Sequence, residues 1–274
     1  MRKNISGKIF TNLLLIIYSL ICIYPIVFLL LNSVREKLDY IRSPLGFPQT
    51  FTLENLISVI TKDRFLIYFG NSLLLTVIST FLAIIIACLA SYAFARFKFK
   101  GKQGIFNFII ALMAIPPILT VTPLFVLFVR IKLINNYFSV ILIYIAFILP
   151  FSILFITNFF RTIPEEMIEA ASIDGCSDMR ILFKIFLPIS KAPILTIFIV
   201  NALWVWNELL VAMLFLQSDK KKTLMVSIAN LYSKASLNPT MIFASLAIAT
   251  IPILILYAFT QKYFVTGITA GTIK

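Results

Sequence analysis

Six apolar stretches, each close to the length that crosses a bilayer, divide this 274-residue chain: 9–31, 71–95, 105–129, 137–160, 194–216 and 241–259. A spanning helix needs roughly 20 such residues. The chain therefore reads as an all-α polytopic membrane protein with about six transmembrane helices. Composition agrees, since 61% of the residues are hydrophobic and only 13% are charged, where a soluble domain is about a quarter charged. Between the stretches lie 32–70, 96–104, 130–136, 161–193 and 217–240, with a tail from 260. None resembles a separate hydrophilic domain, a low-complexity tract or a short-period repeat.

The charge excludes several classes of function. Twenty-four basic and 11 acidic residues give +13, almost all of it between the apolar stretches. Nucleic-acid binding needs a basic face on a soluble module; short basic loops beside apolar helices suit anionic lipid headgroups instead. Histidine is absent, which removes the commonest catalytic base and metal ligand. Cys22, Cys88 and Cys176 are far apart and support neither a disulfide framework nor a zinc site. No GxxxxGK[ST] occurs to cradle ATP phosphates, and neither Gly-x-Ser-x-Gly nor HExxH is present. No cofactor or metal is expected in this chain, and no enzyme activity. Residues 9–31 exceed the roughly 7–15 apolar residues of a signal peptide, and no small-residue cleavage site follows. They read as a retained span.

Orientation is weakly marked. With the N-terminus inside, the inner segments hold Arg2, Lys3, Lys8, Arg96, Lys98, Lys100, Lys102, Arg161, Arg180, Lys184, Lys191, Lys262 and Lys274, thirteen of the 24 basic residues. Positive charge near span ends marks the inner side, and this division is almost even. The dense turn Arg96-Phe-Lys-Phe-Lys-Gly-Lys favours both termini inside. In the second stretch, Ala83, Ala87 and Ser91 recur at i, i+4, i+8 beside Ala90, so another helix can approach closely. Pro25, Pro116, Pro117, Pro150 and Pro252 fall in four other stretches, where each removes a backbone donor and permits a kink. Such breaks serve a path that opens and closes, yet prolines are also common in membrane helices generally.

Segment 161–193 is the most informative. Thr162 followed by Glu165 is a capping-box pattern with Pro164 in the first turn, and Glu165 and Glu166 suit the positive end of a helix. The helix is expected to run to Ile173 and to end on Gly175 in a left-handed turn. Ser177 or Asp178 can cap a second short helix, which Pro188 stops. Met167, Ala170 and Ala171 form a narrow apolar edge beside Glu166. Small residues let a helix settle into a partner's groove, and the acidic rim can pair with arginines. The other reading is a helix lying on the lipid surface, but such helices are usually rich in lysine and arginine.

Polar residues inside spans form a second candidate site. Glu208 is the only acid within a stretch, and a carboxylate there must be paired or face a cavity. On a continuous helix Asn201, Trp204 and Glu208 share one face. An amide, an indole and a carboxylate could line a solute path, or could hold helices together. Tyr24, Tyr137, Tyr144 and Trp206 fit interface anchors, and 220–222, three lysines, reads as a solvated loop.

Glu169-Ala-Ala-Ser-Ile-Asp-Gly, continuing to Leu187-Pro188, resembles the cytoplasmic EAA loop of bacterial ABC importer permeases. Asn71-Ser-Leu, Ser91-Tyr-Ala-Phe-Ala-Arg-Phe, Pro123-Leu-Phe, Leu133-Ile-Asn, Pro150-Phe, Trp206-Asn-Glu and the closing Gln261-Lys-Tyr-Phe-Val-Thr-Gly-Ile-Thr-Ala-Gly are similar to the same family. The last two are most like its maltose-type, carbohydrate-importing branch. Lys132 departs from the pattern, which usually has glycine there. The resemblance covers residues 71–274, the permease core, and leaves 1–70 as a first span with an extracellular segment. It implies that 161–193 is a cytoplasmic coupling helix docking on the ATPase through Glu166, Glu169, Ala170, Ala171, Asp174, Gly175 and Pro188. It further implies an ATPase dimer that binds the ATP, a second homologous permease, an extracellular solute-binding protein and a bacterial inner-membrane location with both termini cytoplasmic. The solute implied is a sugar or oligosaccharide. The competing expectation, an ion-gradient-driven secondary transporter, needs several membrane acids, and only Glu208 is available.

Overall fold

The computed structural model describes residues 5–62, 64–233 and 238–270. Arg2, Lys3 and Lys274 of the orientation argument and Gly271 of the closing motif lie outside them. Every regular element among the described residues is helical; the only pairing of extended chain is an isolated bridge between Arg35 and Phe51. Among the described residues four helices are long and apolar enough to cross a membrane, and two bent helix pairs bring the total to as many as six. The chain divides into two compact units, one of residues 1–66 and 227–251, the other of 67–226 and 252–274.

In the first unit, α1 (Ile5–Ser33) carries Pro25 without breaking. Its apolar side chains from Ile9 to Val27 stay exposed, as lipid-facing residues must. Helices α2 (Lys37–Arg42) and α3 (Glu54–Lys62) follow. Between them sits a polar cluster that sequence reading missed. Arg35 is fully buried, and each of its five N–H groups has an acceptor: both Asp39 carboxylate oxygens, the Asp39 and Gly46 carbonyls, and Asn32 Oδ1. A buried charge is tolerable only when paired and fully hydrogen-bonded. The guanidinium, helped by the Gln49 and Thr50 amides, holds the Asp39 carboxyl well below the usual carboxylate range. Asn55 donates to the Arg35 carbonyl at 2.8 Å and accepts from Thr240. The only sequence signal was an Arg–Asp pair spaced i, i+4.

The second unit is built around α4 (Phe65–Arg96) and α7 (Tyr137–Phe160). Ala83, Ala87 and Ser91 are fully buried, and the Ser91 hydroxyl donates to the Ile153 carbonyl of α7 at 3.1 Å. The stripe of small residues thus serves close approach inside the chain itself. The stretch 105–129 is not one rod. Helix α5 (Lys102–Leu112) meets α6 (Pro117–Arg130) at 95°, because Pro116 and Pro117 cannot donate to the preceding turn. Pro123, Pro150 and Pro252 are instead absorbed within continuous helices.

The end of α7 remote from residue 161 is tied down by the asparagines of the two short motifs. Asn71 donates to the carbonyls of Lys220 and Lys222, each at 2.9 Å, and accepts from the Tyr137 hydroxyl at 2.8 Å. Asn135 accepts from the Ser218 amide and hydroxyl. Lys221 donates to the Asn135 carbonyl, and Lys222 pairs with Asp219 at 2.6 Å. The expected solvated loop at 220–222 is therefore a fixed strap, since two of its carbonyls and two of its ammonium groups have partners. Two expected interface anchors are also packed inside, Tyr144 at 1% and Trp206 at 5% exposure.

Lys132 has φ +56°. That left-handed conformation explains why glycine is usual at this place, for a Cβ there costs about 1 kcal/mol. Lys132→Gly is expected to stabilise the purified chain by roughly that amount, read as a higher midpoint of thermal unfolding in detergent. An unchanged or lower midpoint would show that lysine makes a compensating contact.

Candidate functional site

Segment 161–193 folds as two short helices, as its glycine and proline placement requires. Helix α8 (Glu165–Ile173) starts after Pro164, whose extended backbone makes it the N-cap. The expected capping box does not form. Thr162 lies two residues ahead of the cap, and its hydroxyl donates back to the Phe159 carbonyl at 2.7 Å. At the other end Gly175 adopts φ +74°. Its amide bonds to the Ser172 carbonyl and the Cys176 amide to that of Ala171, at 3.1 and 3.0 Å. This paired closure satisfies carbonyls that a helix end otherwise leaves open.

The second helix runs further than expected. Helix α9 (Asp178–Ile181) opens into a π-helical turn, Leu182–Phe186, and continues as α10 (Leu187–Ile189). Pro188 does not stop it. A proline ring clashes with the carbonyl four residues back and supplies no N–H; widening the turn, with the Leu187 amide reaching the Leu182 carbonyl, accommodates both defects. The break falls at Ser190, where α11 (Lys191–Asn207) leaves at 78°.

Aromatic packing seats the segment against the spans. The Phe186 ring is 1% exposed and meets Tyr92 and Phe160 edge-on, each at 5.0 Å between centroids. Ile168 and Ala171 are turned into the same core. Ala171 therefore belongs to the inner face of α8, not to the partner-facing edge with Ala170. The outer face presents Glu166, Met167, Glu169, Ala170 and Ile173, the last 86% exposed. Asp174 is exposed beyond the helix end. Arg96 and Glu165 pair at 3.3 Å, but the glutamate is largely solvated, so the pair contributes little.

The stretch 194–216 is also interrupted. Helix α11 ends at Asn207, Glu208 is extended, and α12 (Leu210–Phe215) begins two residues later. Glu208 is thus not on the helix that carries Asn201 and Trp204. Its carboxylate accepts from the Val211 and Ala212 amides at 2.8 and 3.2 Å and from the Tyr144 hydroxyl at 2.7 Å. It closes the open end of α12 and ties it to α7. Asn201 is 2% exposed and donates to the Ser152 hydroxyl at 2.8 Å. Trp204 stands edge-on to Tyr144 and Phe147, each at 6.0 Å. All three residues contact α7, and they line no common cavity among those described. Phe147 also borders a cavity of about 580 Å³ at the α5–α6 break.

Comparison with known proteins places this architecture. Residues 79–270 match the family described as binding-protein-dependent transport system inner membrane component. The chain belongs to this family. It is 35% identical to a putative ABC transporter permease of Caldicellulosiruptor sp., over 95% of this chain and 94% of the relative. The arabinooligosaccharides transport system permease of Halalkalibacterium halodurans is 31% identical over 93% of this chain and 92% of its own length. A melibiose/raffinose/stachyose import permease of Bacillus subtilis is 32% identical, over 91% of each. The fold is shared with a bacterial ABC transporter for alginate, with a TM-score of 0.79, 24% identity and coverage of 96% of this chain and 98% of that one. The chain is accordingly the membrane-spanning permease subunit of an ABC importer, an inner-membrane component built of apolar helices. The ion-gradient alternative finds no support among these relatives.

Proposed function

We propose that this permease carries a sugar or oligosaccharide inward by alternating access, driven by a separate ATPase dimer docked on 166–175. The observation that carries the solute class is the pair of relatives named for arabinooligosaccharides and for melibiose, raffinose and stachyose, similar over more than nine-tenths of both chains. ATP is bound by the partner, for this sequence has no phosphate-cradling loop. A second homologous permease completes the path, and an extracellular binding protein delivers the solute. Both termini lie in the cytosol, because a loop that meets an ATPase must face ATP.

The outer face of α8 supports the coupling reading. It is short, acidic and apolar by turns, held at both ends, and rooted by Phe186 in the span core. A push on it reaches α4 and α7 as a rigid displacement, and ATPase closure then shifts the balance between inward- and outward-facing states. Asn201, Trp204 and Glu208 hold the walls of that path together. Uptake of labelled raffinose and arabino-oligosaccharide by cells with and without the gene tests the solute class. Loss of uptake on deletion, insensitive to an ionophore while ATP is maintained, is the expected result. Uptake that persists, or that collapses with the ion gradient alone, would contradict it.

A further inference from the structure

A basic cavity of about 480 Å³ lies where the ends of α4, α5 and α7 converge beside the first turn of α8. Arg96, Lys98, Lys102 and Arg161 line it, against the carboxylates of Glu165 and Glu166. Of the two acids, only Glu165 is paired, with Arg96. The Arg161 guanidinium lies over the Phe106 ring, its Cζ 4.9 Å from the centroid, a cation–π contact that leaves its N–H groups able to meet an anion. Lys102 is anchored by a 2.8 Å bond to the Phe97 carbonyl. The floor is apolar, formed by the buried side chains of Ile163 and Phe186.

We propose that this cavity binds the phosphate of an anionic phospholipid headgroup. Convergent cations between span ends fit a compact, multiply accepting anion. Three observations favour a lipid over a soluble phosphate or an acidic partner. The exposed rings of Phe97 and Phe99 alternate with Lys98 and Lys100, the mixture that sits at headgroup depth. Ile105 and Phe108, further along α5 from the lining Lys102, are 49% and 66% exposed, and give acyl chains an apolar surface. Of the outer face of α8 only Glu166 lines it, whereas Met167, Glu169, Ala170 and Ile173 do not, so a protein docked there leaves the cations of the cavity open. Which leaflet supplies the lipid rests on the proposed orientation; the binding itself does not.

The test is titration of the purified chain, with whatever subunits accompany it, by phosphatidylglycerol and by phosphatidylcholine, with bound copies read by native mass spectrometry. Lys98→Gln, Lys102→Gln and the double variant are compared with the parent. Phosphatidylglycerol should bind in preference, with affinity falling about fivefold for each lysine removed and about twentyfold for both. Equal binding of the two lipids, or unchanged phosphatidylglycerol binding in the double variant with its thermal unfolding intact, would overturn the proposal. Displacement of the lipid by millimolar inorganic phosphate would reassign the cavity to a soluble anion. Loss of a co-purifying ATPase in the double variant, with lipid binding unchanged, would reassign it to subunit docking. A chain that recovers no ATPase yet binds phosphatidylglycerol through these lysines would fail the coupling reading and leave this one standing.

Discussion

Glu169→Lys is expected to uncouple the importer while leaving the chain itself folded. Glu169 is exposed on the outer face of α8 and makes no ion pair among the described residues. Its replacement should therefore change the chain's own stability by less than about 0.5 kcal/mol. At a docked interface the same change sets a cation where the proposed partner presents arginine. Like charges brought together in that way cost several kcal/mol, and about 2 kcal/mol already weakens association roughly thirtyfold. ATPase recovered per permease, and sugar uptake, should both fall more than tenfold at unchanged permease abundance. Glu169→Gln should lose less, because it removes an attraction without adding a repulsion. Normal recovery and uptake in Glu169→Lys would remove Glu169 from the coupling surface.

Glu208→Ala is expected to damage the fold itself. The change orphans the Val211 and Ala212 amides and leaves the Tyr144 hydroxyl buried without its acceptor. A buried polar group that loses its partner costs about 1–3 kcal/mol, and loss of helix-end capping about 1 more. The expected total is about 2–4 kcal/mol, visible as a lowered unfolding midpoint and reduced accumulation in the membrane. Glu208→Gln keeps an acceptor near the tyrosine and should retain most of the stability. If Glu208→Ala is as stable as the parent but fails in transport, the residue contacts solute and its structural role is secondary.

Helical class and approximate span number were legible because length and apolarity in lipid leave few choices. The exact spans were not. Hydropathy averages over a bend, so the break at Glu208 was invisible in the apolar run that contained it; Pro116 and Pro117 marked only a permitted kink, and Ser190 fell in the segment read as a loop. Gly175 was readable because a left-handed position strongly selects glycine, and for the same reason the unusual Lys132 marked its own turn. The face of α8 was harder. Ala170 and Ala171 are adjacent and chemically identical, and only the packing of Phe186 and Ile168 determines which one points inward. Pro188 misled because a proline ends most helices, whereas here a π-helical turn lets the helix continue. The Arg35–Asp39 cluster escaped notice because its distant partners, the Gly46 carbonyl that accepts from Arg35 and the Gln49 and Thr50 amides that donate to Asp39, belong to the backbone, which sequence does not distinguish.

In the proposed coupling the moving contact is small and specific. A nine-residue helix closed by Gly175 and seated by one phenylalanine packs against α4 and α7. Ser91, Asn71 and Asn135 tie those spans to their neighbours by hydrogen bonds. The most direct test is affinity purification of the tagged chain from its native membrane in mild detergent, with identification of what accompanies it. The account predicts an ATPase and a second permease-like membrane protein, both lost or greatly reduced when Glu169 becomes lysine. A chain recovered alone or only with copies of itself, under conditions that preserve a control importer, would contradict it.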